Sequence, residues 1–128
     1  MSEISQQLGK DGEQLVCRHF EEQGFLIIKR NFQFYSQGVQ GRLGEIDLIC
    51  EKNNKLHLVE IKTRSSLQFG NIAGQVTVLQ LKKLYKTYQY FLKKEPRFKS
   101  YFCQFDVATV YEGKIEIIPN AYTFDGFY

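Results

Sequence analysis

Along the chain, the apolar residues change their period in a way that marks out successive elements. Leu8, Leu15, Val16, His19 and Phe20 recur at helical spacing, and Gly24 follows where such a helix would stop. Phe25–Phe34 is then dense in aromatic and β-branched residues and predicts a strand. After a glycine-containing loop come EIDLICEK and KLHLVEIKTR, both strand-like and separated only by Asn53-Asn54. Asparagine tolerates positive φ, so that pair predicts a two-residue hairpin turn. Ser65–Gly74 reads as a flexible loop. From Thr77 to Lys94 the period is helical again, with Leu81, Leu84, Tyr88, Phe91 and Leu92 on one face and Pro96 beyond the end. Phe102–Tyr111 and Lys114–Ile118 predict a second hairpin, turning at Glu112-Gly113. The order α-β-β-β-α-β-β predicts an α/β fold in which helices flank a mixed central sheet of about five strands.

Composition narrows the class. A length of 128 residues suits one domain spanning the whole chain, 1–128. At 43% apolar and 24% charged it is a folded globular chain and not a disordered one. It can bury a core without disulfides or a structural metal. No apolar run reaches the ~18–20 residues of a membrane helix, and the polar opening MSEISQQLGKDGEQ is unlike a secretory signal. Three widely spaced cysteines, Cys17, Cys50 and Cys103, fit a reducing cytoplasmic location better than a disulfide framework or a zinc site. They fall at apolar positions and are expected to be packing residues, as are His19 and His57. No phosphate-binding glycine loop, zincin or nucleophile-elbow string occurs.

The net charge of +3 is mild, but its distribution is uneven. Residues 1–78 are neutral, with nine basic and nine acidic side chains. Residues 79–100 carry Lys82, Lys83, Lys86, Lys93, Lys94, Arg97 and Lys99 against Glu95 alone. The remainder is net acidic. A basic block of this kind suits a phosphate-binding face, and it equally suits a solvated helix face.

The central hairpin carries the candidate chemistry. With Asn53-Asn54 as its turn, the simple register sets Asp47 opposite Glu60 and Glu45 opposite Lys62, all on one face. Ile46, Leu48 and Cys50 would then share the other face with His57, Val59 and Ile61. Opposed carboxylates ~5 Å apart repel each other unless something compensates. A divalent metal is one compensator, since Mg²⁺ takes one or two carboxylates together with waters and phosphate oxygens. Lys62 would join that site as a group that holds a water or stabilises phosphate charge. The alternative is a solvated sheet face with an ordinary Glu45–Lys62 ion pair.

Asp47 followed, after twelve residues, by Glu60-Ile61-Lys62 resembles the PD-(D/E)xK pattern of restriction-endonuclease-like nucleases. The strings around it are more specific. GEIDLI (44–49), VEIKTR (59–64), Gly12-Glu13, Arg30-Asn31, Phe105-Asp106-Val107 and Asn120-Ala121-Tyr122 occur in the order of the YraN-like family. This is a small bacterial family whose fold resembles archaeal Holliday-junction resolvases. The resemblance runs from about Gly9 to Tyr122.

It implies a restriction-endonuclease-like core and Mg²⁺-dependent hydrolysis of phosphodiester bonds in DNA, with branched DNA as one candidate substrate and Mn²⁺ as a substitute metal. By position, Asp47 and Glu60 resemble the metal-binding carboxylates, the Ile61 carbonyl a further ligand and Lys62 the catalytic lysine. Glu13 resembles a helix glutamate approaching the site, and Gln80 takes the place of a lysine or other polar residue there. Glu45 is expected to shape the field instead of binding metal. Arg64, Lys82, Lys83 and Lys86 are the expected phosphate contacts, with Tyr35, Tyr85 and Tyr90 as lesser stacking candidates. A homodimer is an expectation by analogy alone.

The chain departs from the family pattern in Ile46, where the named motif has proline. It departs also in the long loop Ser36–Leu43 and in Gln104, where an arginine is expected. Two other functions stay open: a nucleic-acid-binding module that keeps the fold but cleaves little, and a protein-interaction domain whose lysine-rich helix meets an acidic partner.

Overall fold

The computed structural model describes residues 3–35, 41, 43–64 and 77–122. The loop segments 36–40 and 65–76, on which the longer loop and the flexible loop were expected, lie outside these residues. The elements are α1 (Glu3–Glu22), β1 (Leu26–Phe34), β2 (Gly44–Lys52), β3 (Lys55–Arg64), α2 (Val78–Lys94), a 3-10 turn (Pro96–Phe98), β4 (Phe102–Tyr111) and β5 (Lys114–Tyr122). The expected order α-β-β-β-α-β-β and the five-stranded mixed sheet are both observed.

The strands lie in the order β1-β2-β3-β4-β5. All neighbours are antiparallel except β3 and β4, which run parallel. A parallel pair needs a crossover, and the stretch containing α2 supplies it. Asn53 and Asn54 both take positive φ (54° and 61°), as do Glu112 and Gly113 (49° and 75°), so both expected hairpin turns form.

Each helix covers its own face of the sheet. Val16, Cys17 and Phe20 of α1 pack with Leu48, Cys50, Val59, Ala108 and Val110. Tyr88 and Phe91 of α2 pack with Ile46, Ile49, Leu56, Leu58, Phe105 and Val107. Successive strand residues such as Leu58 and Val59 belong to different clusters, as alternation requires. Gly12 and Gly44 allow the close approach on the two sides. A Cβ at Gly12 would strike the Thr63 hydroxyl of β3, and one at Gly44 would strike the Thr87 hydroxyl of α2. Among the described residues no helix is long and apolar enough to cross a membrane.

Three sequence-based expectations need correction. First, β2 does not alternate throughout: Ile46 joins the α2 cluster, whereas Leu48 and Cys50 join the α1 cluster. Between the β1–β2 pairs Arg30–Leu48 and Phe32–Ile46 lie Asn31 and Asp47, and Asn31 has φ 52°. A left-handed residue in a strand turns the chain over locally, and asparagine bears that conformation at little cost. Second, the β2–β3 pairing follows the expected register from Lys52–Lys55 only as far as Leu48–Val59. Asp47 is therefore not a ladder partner of Glu60, nor Glu45 of Lys62. Third, β5 runs four residues past its expected end, to Tyr122. The register slips between Phe105–Tyr122 and Val107–Ile118, and the Asp106 carboxylate accepts the displaced Asn120 N–H at 2.9 Å. Pro119 falls in this irregularity on an edge strand, where a missing N–H is tolerated.

Candidate active site

Where the β2–β3 ladder stops, the two strands open onto α2. In an extended register Ile61 would pair with Ile46. Instead the Ile61 N–H donates to Asp47 Oδ2 at 2.8 Å, so a side chain takes over a bond of the ladder. The turnover at Asn31 and Asp47 thus exchanges strand pairing for a fixed carboxylate. Glu45, Asp47, Glu60 and Lys62 line one cleft of about 480 Å³, closed on its other side by Gln80, Leu81, Lys83 and Leu84 of α2.

Electrostatics follow from this crowding. Burial pushes the Asp47 carboxyl up, the Ile61 N–H opposes that, and the charges of Glu45, Glu60 and Glu13 push it up further, to about 6. Lys62 Nζ pairs with Glu60 Oε1 at 2.9 Å, both side chains being about one-third exposed. The ion pair therefore joins neighbours two apart on β3, and not the cross-strand Glu45 and Lys62. Among the described residues no three His, Cys, Asp or Glu side chains converge as a ready metal cage. Among the described residues the carboxylates at the cleft are Asp47, Glu60 and Glu45, with the Ile61 backbone beside Asp47. Such hard donors suit Mg²⁺ or Mn²⁺ better than softer metals.

The other expected site residues divide. Glu13, half-buried on α1, is near enough for its charge to raise the Asp47 carboxyl. Gln80 lines the cleft but also caps α2: its Oε1 accepts the Thr77 N–H at 2.9 Å while Thr77 Oγ1 accepts the Gln80 N–H at 3.1 Å. Arg64 is half-buried at the end of β3. Lys83 lines the cleft, and Lys82 and Lys86 are exposed on the same helix. Tyr90 is half-buried, with its ring 4.6 Å from that of Phe34 and Lys94 over it, while Tyr35 is exposed and donates to Gln33 Oε1.

His57, a packing position by its place on the hairpin, has a partner that the sequence does not reveal. His57 Nδ1 and Asp106 Oδ2 are 2.7 Å apart, and Gln104 Nε2 donates to Asp106 Oδ1 at 2.8 Å. Asp106 is 2% exposed. Burial pushes its carboxyl up, but His57, the Asn120 N–H and Gln104 together hold it below the ordinary carboxylate range. The Asp106 and Asn120 strings were visible in the sequence, but pairing across sheet neighbours was not. Phe105 lines the cleft and stacks on Tyr122 at 5.1 Å, so the slipped end of β5 buttresses the site. The three thiols are free, with Cys17 and Cys50 buried.

An acidic, lysine-bearing cleft thus lies at the open end of a hairpin in a five-stranded mixed sheet. The chain belongs to the family described as "Uncharacterised protein family UPF0102", whose description matches residues 12–110. This is the YraN-like family that its strings resemble. It is 35% identical over 123 residues to a UPF0102 protein of Syntrophomonas wolfei, covering 93% of this chain and 100% of the relative. It is 34% identical over 104 residues to a UPF0102 protein of Acinetobacter baumannii strain AYE, covering 81% and 73%. Among solved structures it is similar to Archaeoglobus fulgidus Hjc, a Holliday junction resolvase. That match has a TM-score of 0.49 at 16% identity and covers 84% of this chain and 72% of the other.

Proposed function

We propose that this protein is a metal-dependent nuclease that hydrolyses phosphodiester bonds in DNA. Asp47 and Glu60 are the carboxylates that would hold Mg²⁺, or Mn²⁺ in its place, with the Ile61 carbonyl as a further ligand. The observation that carries this reading is the convergence of Asp47, Glu60 and Lys62 on one cleft at the point where strand pairing gives way. Burial raises the Asp47 carboxyl to about 6, the charges of Glu45, Glu60 and Glu13 add to it, and a bound cation would relieve that cost.

When bound, a divalent ion would neutralise charge developing on the phosphate and acidify a water. The chain's own residues do the rest. Asp47 is aimed by the Ile61 N–H. Lys62, anchored on Glu60, turns its other ammonium protons towards a phosphate oxygen or the attacking water. Glu13 approaches from α1 as a carboxylate able to orient that water or take its proton. Gln80 borders the cleft as a polar amide, and Arg64, Lys82, Lys83 and Lys86 hold flanking phosphates.

A second reading, a nucleic-acid-binding module with little cleavage, is favoured by two specific features. Lys62 already neutralises Glu60, and the Gln80 carbonyl is committed to the helix cap. Incubation with labelled linear, flapped and four-way-junction DNA in Mg²⁺ or Mn²⁺ separates the two. The nuclease reading expects cleavage that Asp47→Ala and Lys62→Ala each reduce by at least about a hundredfold. Cleavage unchanged in both variants would sink it, and salt-sensitive binding without cleavage would establish the module.

A further inference from the structure

The start of α2 carries an apolar tip that the fold leaves uncovered. Val78 and Leu79 are 62% and 63% exposed, while the packing of the helix is carried further along by Thr87, Tyr88 and Phe91. Residues three and four apart share a helix face, so Leu79, Lys82, Lys83 and Lys86 form one stripe, and Val78 stands four before Lys82. No Asp or Glu occurs between Val78 and Lys94. The stripe adjoins the cleft, since Lys83 belongs to both.

Lysines of this density fit a polyanion, and the aliphatic pair sets a further condition on it. A continuous duplex presents mainly phosphates and polar groove edges, which suit lysines better than aliphatic side chains. Apolar side chains find a matching surface on nucleic acid where a base step is opened and a base face is exposed, as apolar wedges do in kinked duplexes. We propose that Val78 and Leu79 form a wedge that enters an opened base step while Lys82, Lys83 and Lys86 hold the phosphates beside it. The wedge delivers the adjoining strand to the Asp47–Glu60 cleft and makes interrupted or branched DNA the preferred substrate over continuous duplex. This rests on the nuclease reading of that cleft.

The test measures binding in EDTA, so that cleavage plays no part. Four-way-junction and linear DNA carry 2-aminopurine at the branch point or the matching duplex position. Wild-type protein should raise the junction's fluorescence severalfold and bind it at least about tenfold more tightly than linear duplex. The variant Val78→Ser/Leu79→Ser, shown folded by circular dichroism, should lose both effects while its affinity for linear duplex stays within about twofold. The variant Val78→Met/Leu79→Met should keep both, which controls for damage to the helix start. An unchanged fluorescence on binding, or a serine variant that keeps the junction preference, overturns the wedge. So does a serine variant that only dissociates a protein dimer in sedimentation, because a second copy would then be what covers this tip. Cleavage without a wedge signal defeats this inference alone. A wedge signal without cleavage in Mg²⁺ defeats the nuclease reading alone.

Discussion

Asp47 carries a proton-linked cost that can be measured without any substrate. Its folded carboxyl lies at about 6 against an ordinary 3.8. The folded chain therefore holds that proton more tightly than the unfolded chain. The associated stability is fully present below about pH 4 and is lost as the pH rises through about 6. In EDTA at pH 8, Asp47→Asn should be more stable than wild type by about 1–2 kcal/mol, after discount for partial solvent access. At pH 3.5 the two should melt together. Added Mg²⁺ should raise the melting temperature of wild type but not of the variant, because only the ionised site gains a ligand. Thermal melts across pH check all three outcomes. A wild type that is the more stable protein at pH 8 in EDTA would contradict the burial and charge crowding of Asp47 described at the cleft. The carboxylates and lysine of this site were legible as residues, because their spacing on two strands is fixed by a two-residue turn. The pairing Lys62–Glu60 was not, since the register that would have set Lys62 against Glu45 ends before reaching them.

Among the elements, β3 and β4 match their expected bounds, and α2 begins one residue later only because Thr77 is its cap. What sequence periodicity could not convey is where an element stops behaving like itself. Asn31 within β1 and Asn120 within β5 both take positive φ, and each marks a place where a strand changes face or register. An asparagine inside a strand reads as a weak strand former, and only its neighbours in the sheet reveal what it does. The contact between β2 and α2 depends on the missing side chain of Gly44. Gly44→Ala should destabilise the fold by about 1–3 kcal/mol, as overpacking does, because Thr87 is buried and bonded to the Lys83 carbonyl at 2.7 Å. Urea titration checks this, and an unchanged midpoint would mean that α2 moves away freely. The lysines of α2 belong to the same scale. Replacing Lys82, Lys83 and Lys86 by alanine should lower the slope of log binding constant against log salt by about 2–3 on duplex DNA, whatever its sequence.

Across the whole molecule, two helices reach the cleft from opposite faces of one sheet. α2 lines it directly, and α1 contributes the charge of Glu13. Gly12 and Gly44, where the two helices approach the sheet closely, each adjoin a carboxylate whose charge raises that of Asp47. The order of elements and the flanking helices could be read from the chain, and so could the meeting of four charged residues. The support behind them could not, because Asp106 gathers His57, Gln104 and Asn120 from three strands, and no spacing along the sequence reports that.

The parallel ladder of β3 with β4 has a consequence for how this molecule comes into being. The β2–β3 hairpin closes over two residues and can form early, whereas β4 must wait until α2 has been laid across the sheet. Glu60 and Lys62 lie opposite Val107 and Thr109 in that late ladder. A nascent chain would thus complete its lysine-bearing helix before Glu60 and Lys62 are braced on their outer side. The candidate site is thus completed only when the last crossover is made.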